Sequence, residues 1–241
     1  MAAETAAEAM EPDEEAIALY GDGLAKMAGS SHGARTMHVY PGTNYSFGQK
    51  AGRAAKDATP SATATRLREA YERDGPRRSV DAVMLVNQHN TPHVLLLQSA
   101  GSGPGAPATF RLPGGRLRRG EGELEGLQRK LHSKLSPSDA SLGGAKEWET
   151  GDCLARWHRP AHDAHFYPYL PTHATRPKEA RAVYAVQLPE KCKFAVPKSL
   201  KLLAVPLFEL YGNEKRYGAV VSSIPYLISR FHLNLESKAE E

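Results

Sequence analysis

The stretch that most restricts how this chain can fold is Leu112-Pro113-Gly114-Gly115, followed by Glu121 and Arg129. Beyond the glycines, Leu124, Leu127, Leu131 and Leu135 recur at intervals of three and four, one apolar helix stripe, and Pro137 stops the pattern. Phe110-Arg111-Leu112 enters the next element, and the spacing predicts a helix over residues 121–135. Apart from any chemistry, this is a loop-helix scaffold, a glycine corner leading into a helix packed by its leucines.

Helix and strand patterns alternate through the rest of the body. Residues 61–74 read as a helix with Ala64, Leu67 and Tyr71 on one face, stopped by Gly75-Pro76. Strands are predicted over 79–87 and 93–99, joined by a turn at 88–92. Val94-Leu95-Leu96-Leu97 is a run rather than an alternation, which predicts a strand covered on both faces. Residues 100–108, rich in Gly, Pro, Ser and Ala, read as a mobile loop. Residues 152–177, interrupted by Pro160, Pro168, Pro171 and Pro177, read as irregular. Later strands are expected at 182–187 and 202–209. A last helix is expected from Ser222 or Ser223 through Phe231, with Pro225 in its first turn. The expected class is α/β with a mixed sheet: one domain over 36–235, an acidic disordered tail at 1–35 and a short tail at 236–241.

Charge narrows the partners. Residues 1–30 hold seven acids and one lysine, so the remaining chain carries +10 within a net charge of +4. Such a tail lacks the large apolar groups that would offset its ordering entropy, and a short helix over 14–19 is the one regular element expected in it. A basic body attracts phosphate-bearing partners. No apolar run approaches the roughly 18 residues of a membrane span, so no membrane partner is expected, and residues 1–30 lack a secretory-signal pattern. Two cysteines, Cys153 and Cys192, make no disulfide framework and fit a reduced intracellular compartment. His158, His162, His165 and His173, near Cys153, match no closed zinc spacing. They are read as loop histidines, and no metal or cofactor is expected.

Gly115, five residues, Glu121, seven residues and Arg129 match the front of a Nudix box. In a working box, acids follow the arginine on one helix face and hold a divalent cation against a diphosphate. Here Lys130, Ser133 and Lys134 occupy those positions. Ammonium groups there repel Mg²⁺, so no hydrolase activity and no catalytic residue are expected. The alternative is a Nudix hydrolase or nucleotide sensor for dinucleoside polyphosphates or capped RNA, with Glu121, Glu123 and Glu125 in a non-standard metal site.

Six segments together carry a closer resemblance: residues 40–48 (Tyr-Pro-Gly-Thr-Asn-Tyr-Ser-Phe-Gly), 92–98, 112–115, Tyr167-Pro168-Tyr169, 194–198 and 206–211. From Thr36 to Leu235 the chain resembles the Nudix-like small subunit of pre-mRNA cleavage factor I, the cleavage and polyadenylation specificity factor subunit five family. The resemblance implies a catalytically silent Nudix α/β/α fold, a homodimer, nuclear residence and binding of UGUA-type single-stranded pre-mRNA. It also implies association with a larger subunit through an RNA-recognition-motif domain. It places Phe110, Arg111, Leu112, Tyr217 and Gly218 at the RNA, and Asp81, Tyr167 and Tyr169 at the partner subunit. The loop from Tyr211 to Gly218, with Lys215 and Arg216, combines ring faces and cations suited to single-stranded RNA.

Three positions depart from the family pattern. Ala55 and Thr63 stand where a glutamate and an arginine read base edges, and Thr109 stands where an aromatic ring stacks on a base. A bidentate base contact gives about 1–3 kcal/mol of discrimination, and a base–aromatic stack about the same. Their loss is comparable with the ~4–10 kcal/mol separating specific from non-specific protein–DNA binding. A weakened or altered sequence preference is therefore expected, with Arg53, Arg66 and Arg111 as replacement contacts.

Overall fold

The computed structural model describes residues 35–52, 60–100, 107–137, 148–162, 165–172 and 174–236. The expected 14–19 helix, nearly all of both tails, most of the 100–108 loop, Arg53, Ala55 and His173 lie outside them. In chain order the strands are β1 (Arg35–Val39), β2 (Tyr45–Lys50), β3 (Arg77–Val83), β4 (Leu85–Gln88), β5 (Thr91–Ser99), β6 (Thr109–Arg111), β7 (Gly114–Arg116), β8 (Glu149–Arg159), β9 (Glu179–Gln187), β10 (Cys192–Pro197), β11 (Leu200–Pro206) and β12 (Phe231–Leu235). The helices are α1 (Pro60–Asp74), α2 (Glu123–Leu135), α3 (Leu207–Leu210), α4 (Glu214–Tyr217), α5 (Ala219–Ser222) and α6 (Ile224–Ile228).

One four-stranded sheet runs β7-β3-β9-β8, with β3 and β9 parallel and the outer pairs antiparallel. A second runs β11-β5-β4, with β6 also on β5. Parallel pairs β1–β12 and β2–β10 complete the pairing among the described residues. The run at Val94–Leu97 behaves as its sequence demands. Val94 and Leu96 enter one core with Leu210, Val220, Val221, Ile224 and Ile228 from the C-terminal helices. Leu95 and Leu97 enter the other with Leu127, Leu131 and Leu135 of α2. The sheets thus lie between two helical layers, an α/β/α arrangement.

Several expectations are corrected. The predicted strand 79–87 is two strands that part at Met84, where the chain passes from one sheet to the other. The first part of the predicted irregular stretch, residues 152–159, belongs to β8, which precedes all four prolines; register shifts between Thr150 and Cys153 and between Cys153 and Ala155 hide its alternation. The strand predicted to reach Glu209 ends at Pro206, whose ring cannot donate to a ladder, and Leu207 starts α3. The last helix stops at Ile228, and Phe231 instead pairs with Arg35 in β12. Ala64 is exposed; α1 turns Leu67, Ala70 and Tyr71 inward.

Leu124 is also exposed, at 40%. Glu123, one residue earlier, is anchored to β8 and β9. That anchor turns α2 so that Gly126, Lys130 and Lys134 share the covered face with the leucines. An apolar count cannot see this rotation, because the residues that set it are charged.

Candidate functional site

The site is built where β6, the glycine corner and α2 meet β3, β8 and β9. Gly114 pairs with Asp81, and Gly115 with Val80. A Cβ on Gly114 would stand 2.1 Å from the Val80 carbonyl oxygen, so only glycine lets the corner close. The Lys130 side chain lies along Gly115, its Cδ at 3.4 Å from where a Cβ would be.

Two glutamates of the box region, Glu121 and Glu123, are committed to arginines. Glu121 accepts Arg129 Nε and Nη2, each at 2.5 Å, and the Arg118 backbone N–H at 2.7 Å. The Arg129 hydrogen bonds hold its carboxyl near pKa 2, against the upward push of its burial. Glu123 accepts Arg156 Nη1 and Nη2 at 2.9 Å and the Tyr184 hydroxyl at 2.5 Å, with Arg78 Nη2 at 3.6 Å. Burial raises its pKa, but the Arg156 and Tyr184 hydrogen bonds outweigh this and keep it below the usual range. The Glu123 carboxylate fastens α2 to β8 and β9, and the Glu121 carboxylate fastens the turn before α2 to the helix itself.

The positions of the missing acids face a cationic neighbourhood. Lys134 is pushed down to about 8 by burial, with Asp81 favouring its charge and Arg111, Lys130 and Arg181 opposing it. Asp81 is pushed up to about 6 by burial, against the pull of Arg181 and Lys134. One largely buried carboxyl therefore stands among Arg111, Lys130, Lys134 and Arg181.

The stability linked to Glu121 has a defined sign. Its carboxyl falls from the ordinary 4.5 to about 2 in the fold, so its contribution is present above pH 4.5 and disappears as pH falls toward 2. Melting curves should show this loss between about pH 5 and 2.5 in the native sequence, and a smaller loss in Glu121→Gln.

The residues expected at RNA are brought together in part. Phe110 and Tyr217 have ring centroids 4.9 Å apart, with Arg216 over both at 5.6 and 5.1 Å. Tyr217 is only 5% exposed, and its hydroxyl donates to Glu209 at 2.5 Å, so it backs Phe110 rather than offering an open ring. Leu112 is buried in the core beneath. Arg111 is exposed, its Nη2 3.4 Å from Ser99 Oγ. The Thr109 hydroxyl is spent on Ser99 at 2.6 Å. Gly218 has φ +81° at the joint of α4 and α5, with open space where a Cβ would project.

The partner residues divide differently. Tyr167 and Tyr169 are exposed at 36% and 59%, their rings 5.8 Å apart. Two backbone hydrogen bonds between Tyr167 and His158, at 2.7 and 2.8 Å, pin their loop to β8. Asp81 is buried and does not present a carboxylate to a partner. It holds Arg181 at 3.5 Å, and Arg181 lies 4.5 Å over the Phe166 ring beside Tyr167. Sequence reading misses Arg156, Tyr184 and Arg181, which reach the site across the sheet and carry no local motif.

The Nudix family described as nucleotide hydrolase matches residues 35–231. The pre-mRNA cleavage factor Im 25 kDa subunit 2 of Arabidopsis thaliana is 48% identical over 205 residues, covering 85% of this chain and 98% of the relative. The cleavage and polyadenylation specificity factor subunit 5 of Dictyostelium discoideum is 44% identical, covering 84% and 98%. The chain belongs to this cleavage-factor family of Nudix proteins. Within that family's fold, the α2 face of this chain carries Lys130, Ser133 and Lys134 after Arg129.

Proposed function

We propose that the protein is a non-catalytic Nudix-like subunit of the nuclear machinery that cleaves and polyadenylates pre-mRNA. In this reading it binds single-stranded RNA modestly and, as a homodimer, carries a larger subunit with an RNA-recognition-motif domain. The names of its relatives support the setting, and the resemblance supplies the partners.

The observation that carries the non-catalytic part is the charge of α2. Two lysines and a serine stand where acids would gather a cation, while Glu121 and Glu123 are neutralised by Arg129 and Arg156. A divalent cation would have to displace guanidinium groups already in bidentate contact. The RNA face keeps Phe110, Arg111 and Gly218 but not the ring at position 109 or the arginine at 63. Tyr167 and Tyr169 supply exposed area with hydroxyl handles, which suits a docked protein.

Purified protein with Mg²⁺ or Mn²⁺ should leave dinucleoside polyphosphates and capped RNA uncut. It should bind UGUA and scrambled RNAs within about tenfold of each other at matched salt, as expected where base-reading terms of ~1–3 kcal/mol each are missing. Cation-dependent turnover abolished by Glu121→Gln would refute the silent-site reading. A flat salt response would refute phosphate engagement.

A further inference from the structure

A pocket opens between α1 and the sheet. It is shallow and open to solvent, a notch rather than a cavity, and its rim includes Leu67, Tyr71, Arg77, Arg116, Arg159, His162 and Lys178. Among the described lining residues four are arginine or lysine, one is a histidine, and none is an acid. The nearest carboxylates are already engaged. Glu179 pairs with Arg159 at 2.7 Å, Arg181 at 3.2 Å and Arg77 at 3.7 Å, and Asp74 pairs with Arg116 at 3.0 Å and Arg73 at 3.2 Å. Among the described residues, positive charge therefore exceeds negative around this notch. The Lys178 ammonium stands 3.7 Å over the Tyr71 ring, and no carboxylate among the described residues pairs with it. His162 meets the same ring edge-on at 5.9 Å.

Crowding of like charge shows in both titrations. Burial pushes Arg77 below its usual range, and Arg116, Arg181 and Arg159 add to that push against Glu179. Burial, Lys178, Arg159 and Arg68 push His162 down. An incoming anion would relieve this repulsion. Guanidinium forks and an ammonium around a small concave space suit the tetrahedral oxygens of a phosphate ester.

Position selects the source of the phosphate. Thr63, at a position the resemblance gives to base reading, lies on α1 at i, with Leu67 at i+4, Ala70 at i+7 and Tyr71 at i+8. These share one helix face, and at ~1.5 Å per residue the pocket begins about 6–12 Å from Thr63. We propose that this pocket holds a backbone phosphate of the bound single-stranded RNA, extending the RNA path along α1 beyond Thr63. The inference rests on the RNA-binding reading above, and it places part of the affinity in a contact that reads no base.

The test is fluorescence anisotropy with a labelled single-stranded RNA between about 50 and 200 mM salt. It compares the native protein, Lys178→Gln, Lys178→Glu and Lys193→Gln, the last an exposed β10 residue with the same charge change. One lost contact should weaken binding roughly fivefold near ~0.1 M salt and flatten the log–log salt slope by about 0.7. Lys178→Glu should weaken it further. Lys193→Gln should do less than Lys178→Gln, and all variants should melt like the native protein. If native protein binds RNA with a salt slope but Lys178→Gln and Lys178→Glu leave the slope unchanged, the pocket proposal is wrong while the RNA reading stands. If native protein binds no RNA, the RNA reading itself fails and the proposal falls with it. Displacement of pocket chemical shifts by millimolar inorganic phosphate or AMP, but not by RNA, would assign the site to a free nucleotide and overturn the RNA source. Loss of partner-subunit binding with RNA binding intact would make the pocket a protein-docking site and overturn it too.

Discussion

Alanine at Glu123 should cost about 3–5 kcal/mol of folding free energy, enough to lower the melting temperature by many degrees in a body of this size. The carboxylate on the first turn of α2 accepts both Arg156 amino groups from β8 and the Tyr184 hydroxyl from β9, with Arg78 of β3 behind. Removing it leaves a half-buried guanidinium without its counter-charge and frees the rotation that sets which face of α2 is covered. Glu123→Gln retains acceptor and donor atoms but loses the charge, so it should fall between the native protein and alanine. Chemical denaturation with fluorescence of Trp157 and Trp148, both in the core, measures the series. An alanine variant within about 1 kcal/mol of native would show that the helix is oriented by its leucines alone.

Alanine at Gly114 is the second large effect, expected at about 3–5 kcal/mol or as outright loss of soluble protein. The added carbon would lie 2.1 Å from the Val80 carbonyl oxygen and 2.6 Å from the Asp81 Cα. Both obstacles are backbone of β3, which is held on its other side by β9, so neither can yield cheaply. Gly115→Ala separates the two causes: at φ +151° it shares the backbone strain of Gly114, but its nearest neighbours are the flexible Lys130 methylenes at 3.4 and 3.5 Å, so it lacks the clash and should cost less. Expression level and thermal melts of the two variants side by side check the contrast. Equal behaviour would mean that β7 can peel away from β3 without consequence.

Legibility of the sequence follows the range of the interactions. Where the deciding forces are local, expectation and structure agree closely: the Val94–Leu97 run is covered on both faces, α1 and α2 begin within two residues of expectation, and Pro137 follows the end of α2. The hairpin at 88–92 closes through His89 and Asn90, both with positive φ, as a tight turn between such strands requires. Where partners come from far along the chain, pattern fails. β1, β2, β10 and β12 are short strands whose alternation means little until each meets its parallel partner. At the site, the lysines replacing acids are plain in the sequence. The arginines that consume Glu121 and Glu123 are not equally so: Arg129 is eight residues away on the same motif, whereas Arg156 arrives from a strand whose register shifts obscure it. Tyr217 is legible as an aromatic near cations, but its burial against Phe110 depends on β6 meeting α4.

The pairing of β1 with β12 has a kinetic consequence. Arg35 sits opposite Phe231, so β1 can find its neighbour only after every other described strand has been translated. Until then Met37 and Val39 have no lid, and nascent chains stalled short of residue 231 expose them to chaperones and to one another.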